Sequence, residues 1–159
     1  MAKPFNRNIN ISIDLNECNP TVSWNVVCDS SNSLIAELNK DNPSVSDILN
    51  LTNLMSTTKG YQRLGYKSGL DFFNAHLSDK PWNKPLFLAC HKVSIVAAKL
   101  GFSVTQNTFM SFKALTRVSI KYIDKTVELA RKKDNNPVPS AAAIMEVINN
   151  HPQFLKNHK

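Results

Sequence analysis

The stretch Asn8–Asp29, NINISIDLNECNPTVSWNVVCD, decides how the chain is read, because it alternates where the rest of the sequence does not. Ile9, Ile11, Ile13 and Leu15 interleave with Asn10, Ser12, Asp14 and Asn16. A period of two puts the four apolar side chains on one face of a strand. The second run sets Val22, Trp24, Val26 and Cys28 together, opposite Thr21, Ser23 and Asn25. Between the runs, Asn16–Pro20 (NECNP) supplies the turn chemistry of Asn and Pro. The reading is a two-stranded β-hairpin over residues 9–28. An isolated hairpin is marginal in water, so its apolar face must cover something. It packs on the helices of its own chain, or it extends a sheet in a partner or a second copy, which makes a homo-oligomer.

Downstream the period changes to that of helices. SSNSLIAELNK makes a short helix ended before Pro43. Ser44–Asp47 (SVSD) fits a capping box, followed by Val45, Ile48, Leu49, Thr52 and Met55 at helical spacing. TTKGYQRLGYKSG, with three glycines, reads as a loop or a broken helix, and Ser68–Asp71 (SGLD) caps the next one. Pro85 opens the most apolar helix, Leu86–Leu100, and Gly101 stops it in a left-handed cap. Ser103–Gln106 (SVTQ) caps a long helix reaching Lys133. DNNPVPS breaks it, and Ser140 caps a last short one. The fold class is mainly α (α+β), a bundle of about five to six helices with the hairpin in front. It is expected to form one domain over 1–159, with a helical core at 33–133 and a short helix and tail at 134–159.

Composition narrows the classes. Of 159 residues 42% are apolar and 19% charged, which supports a packed core rather than disorder. Cys18, Cys28 and Cys90 are odd in number and form no C-x-x-C, so neither a disulfide framework nor structural zinc is expected. The start MAKPFNRNIN has no apolar run after its charges, and no run approaches the ~20 residues of a membrane span. An intracellular location, cytoplasmic or nuclear, follows as the expectation, with no membrane partner and no cofactor.

Charge carries the functional expectation. Residues 59–133 hold fourteen basic and four acidic side chains, whereas 1–58 hold three and six. On the expected long helix, at 100° per residue, Lys113, Arg117, Lys121, Lys125, Arg131 and Lys132 fall within about 120° of arc. A cationic ridge of this kind meets phosphates. Lys113, Arg117, Lys121, Lys125 and Lys132 are therefore the expected nucleic-acid contacts for DNA or RNA, with Lys84, Lys92 and Lys99 as outer contributors. The alternative is a helical protein–protein assembly or adaptor module using the hairpin or the ridge. VAAKLGFSVTQNTFM also imitates a helix-turn-helix, whose second helix would present Thr105, Gln106 and Asn107 to base edges.

Catalysis finds less support. Cys90 and His91 are adjacent, which on a helix turns them about 100° apart, and Cys90 reads as a core residue. The four histidines lack metal-ligand spacing, and no phosphate-loop, dinucleotide or nucleophile-elbow motif occurs.

Overall fold

The computed structural model describes Phe5 and residues 20–157, with side chains from residue 24 onward in that stretch. The described residues form eight α-helices and no sheet: α1 (Pro20–Leu38), α2 (Val45–Thr57), α3 (Gly60–Arg63), α4 (Gly69–Leu77), α5 (Lys84–Lys99), α6 (Phe109–Leu115), α7 (Ile123–Asp134) and α8 (Ala141–Asn150). The mainly helical class is as expected, with more and shorter helices than the five or six anticipated. The first strand expected at 9–15 lies outside the described residues. The second run is helical, since Thr21–Cys28 falls within α1. Trp24, Val27, Cys28 and Ser31 are all buried, and their i, i+3, i+4, i+7 spacing is that of one helix face.

The chain divides into two compact units, residues 1–91 and 92–159, with the boundary inside α5. In the first, α1 packs on α2 and α4. The end of α1 is tied down by side chains: buried Asn83 donates to the Leu38 carbonyl at 2.6 Å, and Glu37 accepts the Ser44 N–H at 2.6 Å. Both satisfy backbone groups that a helix terminus leaves open. The two expected caps are present, with Ser44 accepting from Asp47 N–H at 3.3 Å and Ser68 from Asp71 N–H at 3.2 Å. The glycine-rich stretch is a broken helix. Gly65, at φ +94°, ends α3 with paired bonds from Tyr66 to Tyr61 and from Gly65 to Gln62. Its core is aromatic: Tyr61, Phe72, Phe73 and Phe87 are buried together, with His91 edge-on to Tyr61 at 5.2 Å.

In the second unit α7 and α6 both pack on α8, over an aliphatic core that includes Val93, Ala97, Leu115, Val118, Val127, Ile144 and Val147. Gly101 ends α5 as expected, at φ +81°, with Phe102 N–H reaching Ala97 and Gly101 N–H reaching Ala98. Ser140 caps α8 by accepting from Ala143 N–H at 3.1 Å.

The long helix expected from Ser103 to Lys133 does not form. Residues 103–108 lie outside any helix, and Thr108 rather than Ser103 turns the chain, its hydroxyl accepting the Thr105 N–H at 2.9 Å. A second break separates α6 from α7. There Val118 makes an isolated antiparallel bridge with Leu155. Ser119 N–H donates to Phe154 at 2.8 Å, and Lys156 N–H donates to Arg117 at 3.0 Å. Thr116, Val118 and Ile120 place three β-branched residues in this stretch, where helix propensity is weak. The Arg117 carbonyl and the Ser119 N–H bond to this distant segment of the chain instead of continuing the helix.

Candidate functional site

The breaks in the expected helix reposition the charges. Lys113 is exposed on α6, Arg117 lies in the turn after it, Lys121 in a 3₁₀ turn (Ile120–Tyr122), and Lys125 and Lys132 on α7. No single helix presents them, so the arc calculated for a continuous helix does not apply. The helix-turn-helix likeness fails at the same place, because Thr105, Gln106 and Asn107 precede α6 instead of opening a recognition helix. Lys84 stands half-buried at the start of α5, in the first unit.

Three of the expected residues do come together in the second unit. Lys92, Lys99 and Arg117, joined by Lys156, rim a groove of about 850 Å³. Its floor is apolar, made by Ile95, Val96, Ile120, Ile123 and Leu155. One wall is the α5 face carrying Lys92, Ile95, Val96 and Lys99, at i, i+3, i+4 and i+7. The other is the paired backbone of Arg117–Ser119 and Phe154–Lys156. Ile95 is 50% exposed and Ile120 67%. Two large aliphatic side chains thus share one surface depression. Lys99 is held in place by donating to the Ile120 carbonyl at 3.1 Å, and Arg117 leans on Met145, with Nη1 3.4 Å from Sδ. Among the described residues none of the four rim cations makes an ion pair.

The remaining expected contacts are dispersed or compensated. Lys121 sits over the Tyr122 ring at 4.9 Å, and Lys125 pairs with Glu128 at 3.7 Å. Lys132 lines a second depression with Lys99 and Arg131, where Asp124 and Glu128 offset the charge. Arg131 Nε donates to the Pro137 carbonyl at 2.9 Å.

Cys90 is buried, as its position on the apolar face of α5 implied, and burial pushes its thiol up to about 11. At neutral pH it is therefore a thiol, whereas a nucleophilic cysteine needs its thiolate. Among the described residues no three His, Cys, Asp or Glu side chains gather as a metal site, and no helix is long and apolar enough to cross a membrane.

Comparison with known proteins finds no matching family, no similar curated protein and no similar solved structure. The site is therefore read from its own chemistry.

Lys92, Lys99 and Arg117 were legible as site residues in the sequence, whereas Ile95, Ile120, Leu155 and Lys156 were not. One signal was available. Ile95 lies between Lys92 and Lys99 on the face of α5 turned away from the core residues Cys90, Val93 and Ala97, where an isoleucine has no packing reason to be.

Proposed function

We propose that the protein is a non-catalytic helical binding module whose groove at residues 92–157 docks an acidic, amphipathic helix of another protein. The observation that carries this is the combination in one place of an aliphatic floor and four cations that make no ion pair among the described residues. Helix-in-groove recognition places an apolar stripe against such a floor. Burying Ile95 and Ile120 supplies affinity at about 25 cal/mol per Å² removed from water. The rim of Lys92, Lys99, Arg117 and Lys156 selects a partner with carboxylates flanking that stripe and speeds its encounter.

A second reading rests on a different observation. Residues 92–159 hold eleven basic and four acidic side chains, a net +7, which suits the phosphates of DNA or RNA. Two features favour the protein partner. Among the described residues no aromatic side chain lines the groove, whereas single-strand binders stack bases on aromatics. Phosphate contact also draws nothing from an apolar floor.

A titration separates the two. The probe is a fluorescein-labelled helix of ~14 residues, four turns, with leucines at i, i+3, i+4 and i+7 between flanking glutamates. The full chain binds it saturably, and the double change Ile95→Ser, Ile120→Ser weakens binding about tenfold or more. If a 20-mer oligonucleotide binds instead, with a log–log salt slope of about −0.7 to −0.9 per phosphate, and the isoleucine changes leave that binding intact, the phosphate reading replaces this one.

A further inference from the structure

We infer that the first unit carries a separate peptide-recognition site, centred on Asn32, for an extended segment bearing a phenylalanine, and that the chain fills it with its own Phe5. The site owes nothing to the groove or to the charge of the second unit.

Asn32 lies within α1, and its carboxamide makes two bonds to the backbone of one distant residue. Its Oδ1 accepts the Phe5 N–H at 2.8 Å and its Nδ2 donates to the Phe5 carbonyl at 3.2 Å. This is the pattern by which one strand holds a residue of its neighbour, supplied here by a side chain. It reads backbone and demands an extended segment, since both the N–H and the C=O of one residue must face the same way. A helical residue has these groups committed along its axis.

Specificity comes from the ring. Phe5 stacks on Phe72 with centroids 6.4 Å apart and meets the edge of His76 at 5.4 Å. It also packs against the buried cluster of Trp24, Val27 and Cys28. His76 is held in place by a 2.5 Å hydrogen bond to the Tyr66 hydroxyl, and Tyr66 itself lies edge-on to Phe72 at 5.5 Å. The receptor is thus built from α1, α4 and the turn after α3, and its ring wall of Tyr66, Phe72 and His76 is held by contacts that do not involve Phe5. Desolvation holds the His76 pKa below its ordinary value, which keeps this wall neutral and apolar. Phe5, Asn32 and His76 are each only half-buried. A segment from another molecule can therefore reach the seat when Phe5 leaves it.

The test uses the full chain carrying Phe5→Ala and a labelled peptide with the sequence of residues 2–8, AKPFNRN. The Phe5→Ala chain binds this peptide saturably by fluorescence anisotropy, and the unmodified chain binds it about tenfold more weakly or less, because its own Phe5 competes. The same peptide with its phenylalanine replaced by alanine does not bind. Adding Asn32→Asp, which keeps the acceptor for the N–H and loses the donor to the carbonyl, weakens binding about five- to tenfold. If Phe5→Ala destabilises the chain, excess peptide raises its melting temperature again, as any ligand of the folded state must. The inference is overturned if the peptide neither binds nor rescues the Phe5→Ala chain. Binding that ignores either the phenylalanine or Asn32 overturns it equally.

Discussion

The two units are both helical, yet they differ in charge and in what builds their cores. Residues 1–91 hold eight basic and eight acidic side chains, a net zero, and residues 92–159 carry the whole net charge of +7. The first unit packs its core with rings, where Tyr61, Phe72, Phe87 and His91 interlock, and leaves Trp82 exposed. The second builds its core mainly from aliphatic side chains and leaves Ile95 and Ile120 on the surface among lysines. An apolar side chain is uninformative when buried and instructive when it stands exposed beside uncompensated charge. That criterion is what leads us to propose an acidic partner for the groove of the second unit.

The contrast can be broken at the aromatic core, where the largest effect is expected. Phe72 touches Phe5, Tyr61, Tyr66 and His76. Phe72→Ala should cost about 3–5 kcal/mol in chemical denaturation, the usual range for truncating a buried aromatic. A loss below about 1 kcal/mol would mean that ring packing does not hold this unit together. Next comes a close approach. A Cβ on Gly69 would lie 2.6 Å from His91 Cε1 and 2.7 Å from Nε2. Gly69→Ala should therefore destabilise by about 1–3 kcal/mol through overpacking, even though alanine favours helix more than glycine does. A stabilised variant would show that the His91 ring swings aside freely.

A smaller effect sharpens the comparison through pH. Burial lowers the His76 pKa from its ordinary 6.5, so the folded chain prefers the neutral ring and the unfolded chain binds the proton more readily. The stabilising contribution is present above 6.5 and is lost as pH falls through the lower folded value. Denaturation midpoints measured from about pH 7 down to about pH 5 should decline, and His76→Phe should flatten that decline. An unchanged slope in the variant would assign the pH dependence to other groups.

Much of this fold was legible residue by residue. Ser44 and Ser68 cap helices as their spacing to Asp47 and Asp71 implied, and Ser140 caps α8 as expected, because a cap is a contact over three residues. Gly101 stops α5 for the same local reason. Thr21–Cys28 misled because Trp24 and Cys28 satisfy a period of two and also, with Val27, a period of 3.6. Only Leu34, Leu38 and the partners across α2 decide between them. The break after Leu115 was illegible for a different reason. It depends on Phe154 and Lys156, more than thirty residues downstream, which take the backbone bonds of Ser119 and Arg117. The groove inherits that dependence. Its cations could be named from sequence, but their meeting around Ile95, Ile120 and Leu155 required a long-range pairing that no local pattern encodes.

The central claim is that the groove binds by covering an apolar floor, with charge as the selector. Calorimetric titration of the acidic leucine-bearing helix into the full chain at several temperatures measures that directly, because apolar burial on binding gives a negative heat-capacity change. The account predicts a clearly negative value that shrinks toward zero with Ile95→Ser and Ile120→Ser, while added salt weakens binding only moderately. A heat-capacity change near zero, with binding abolished by salt and indifferent to the two isoleucines, would contradict it.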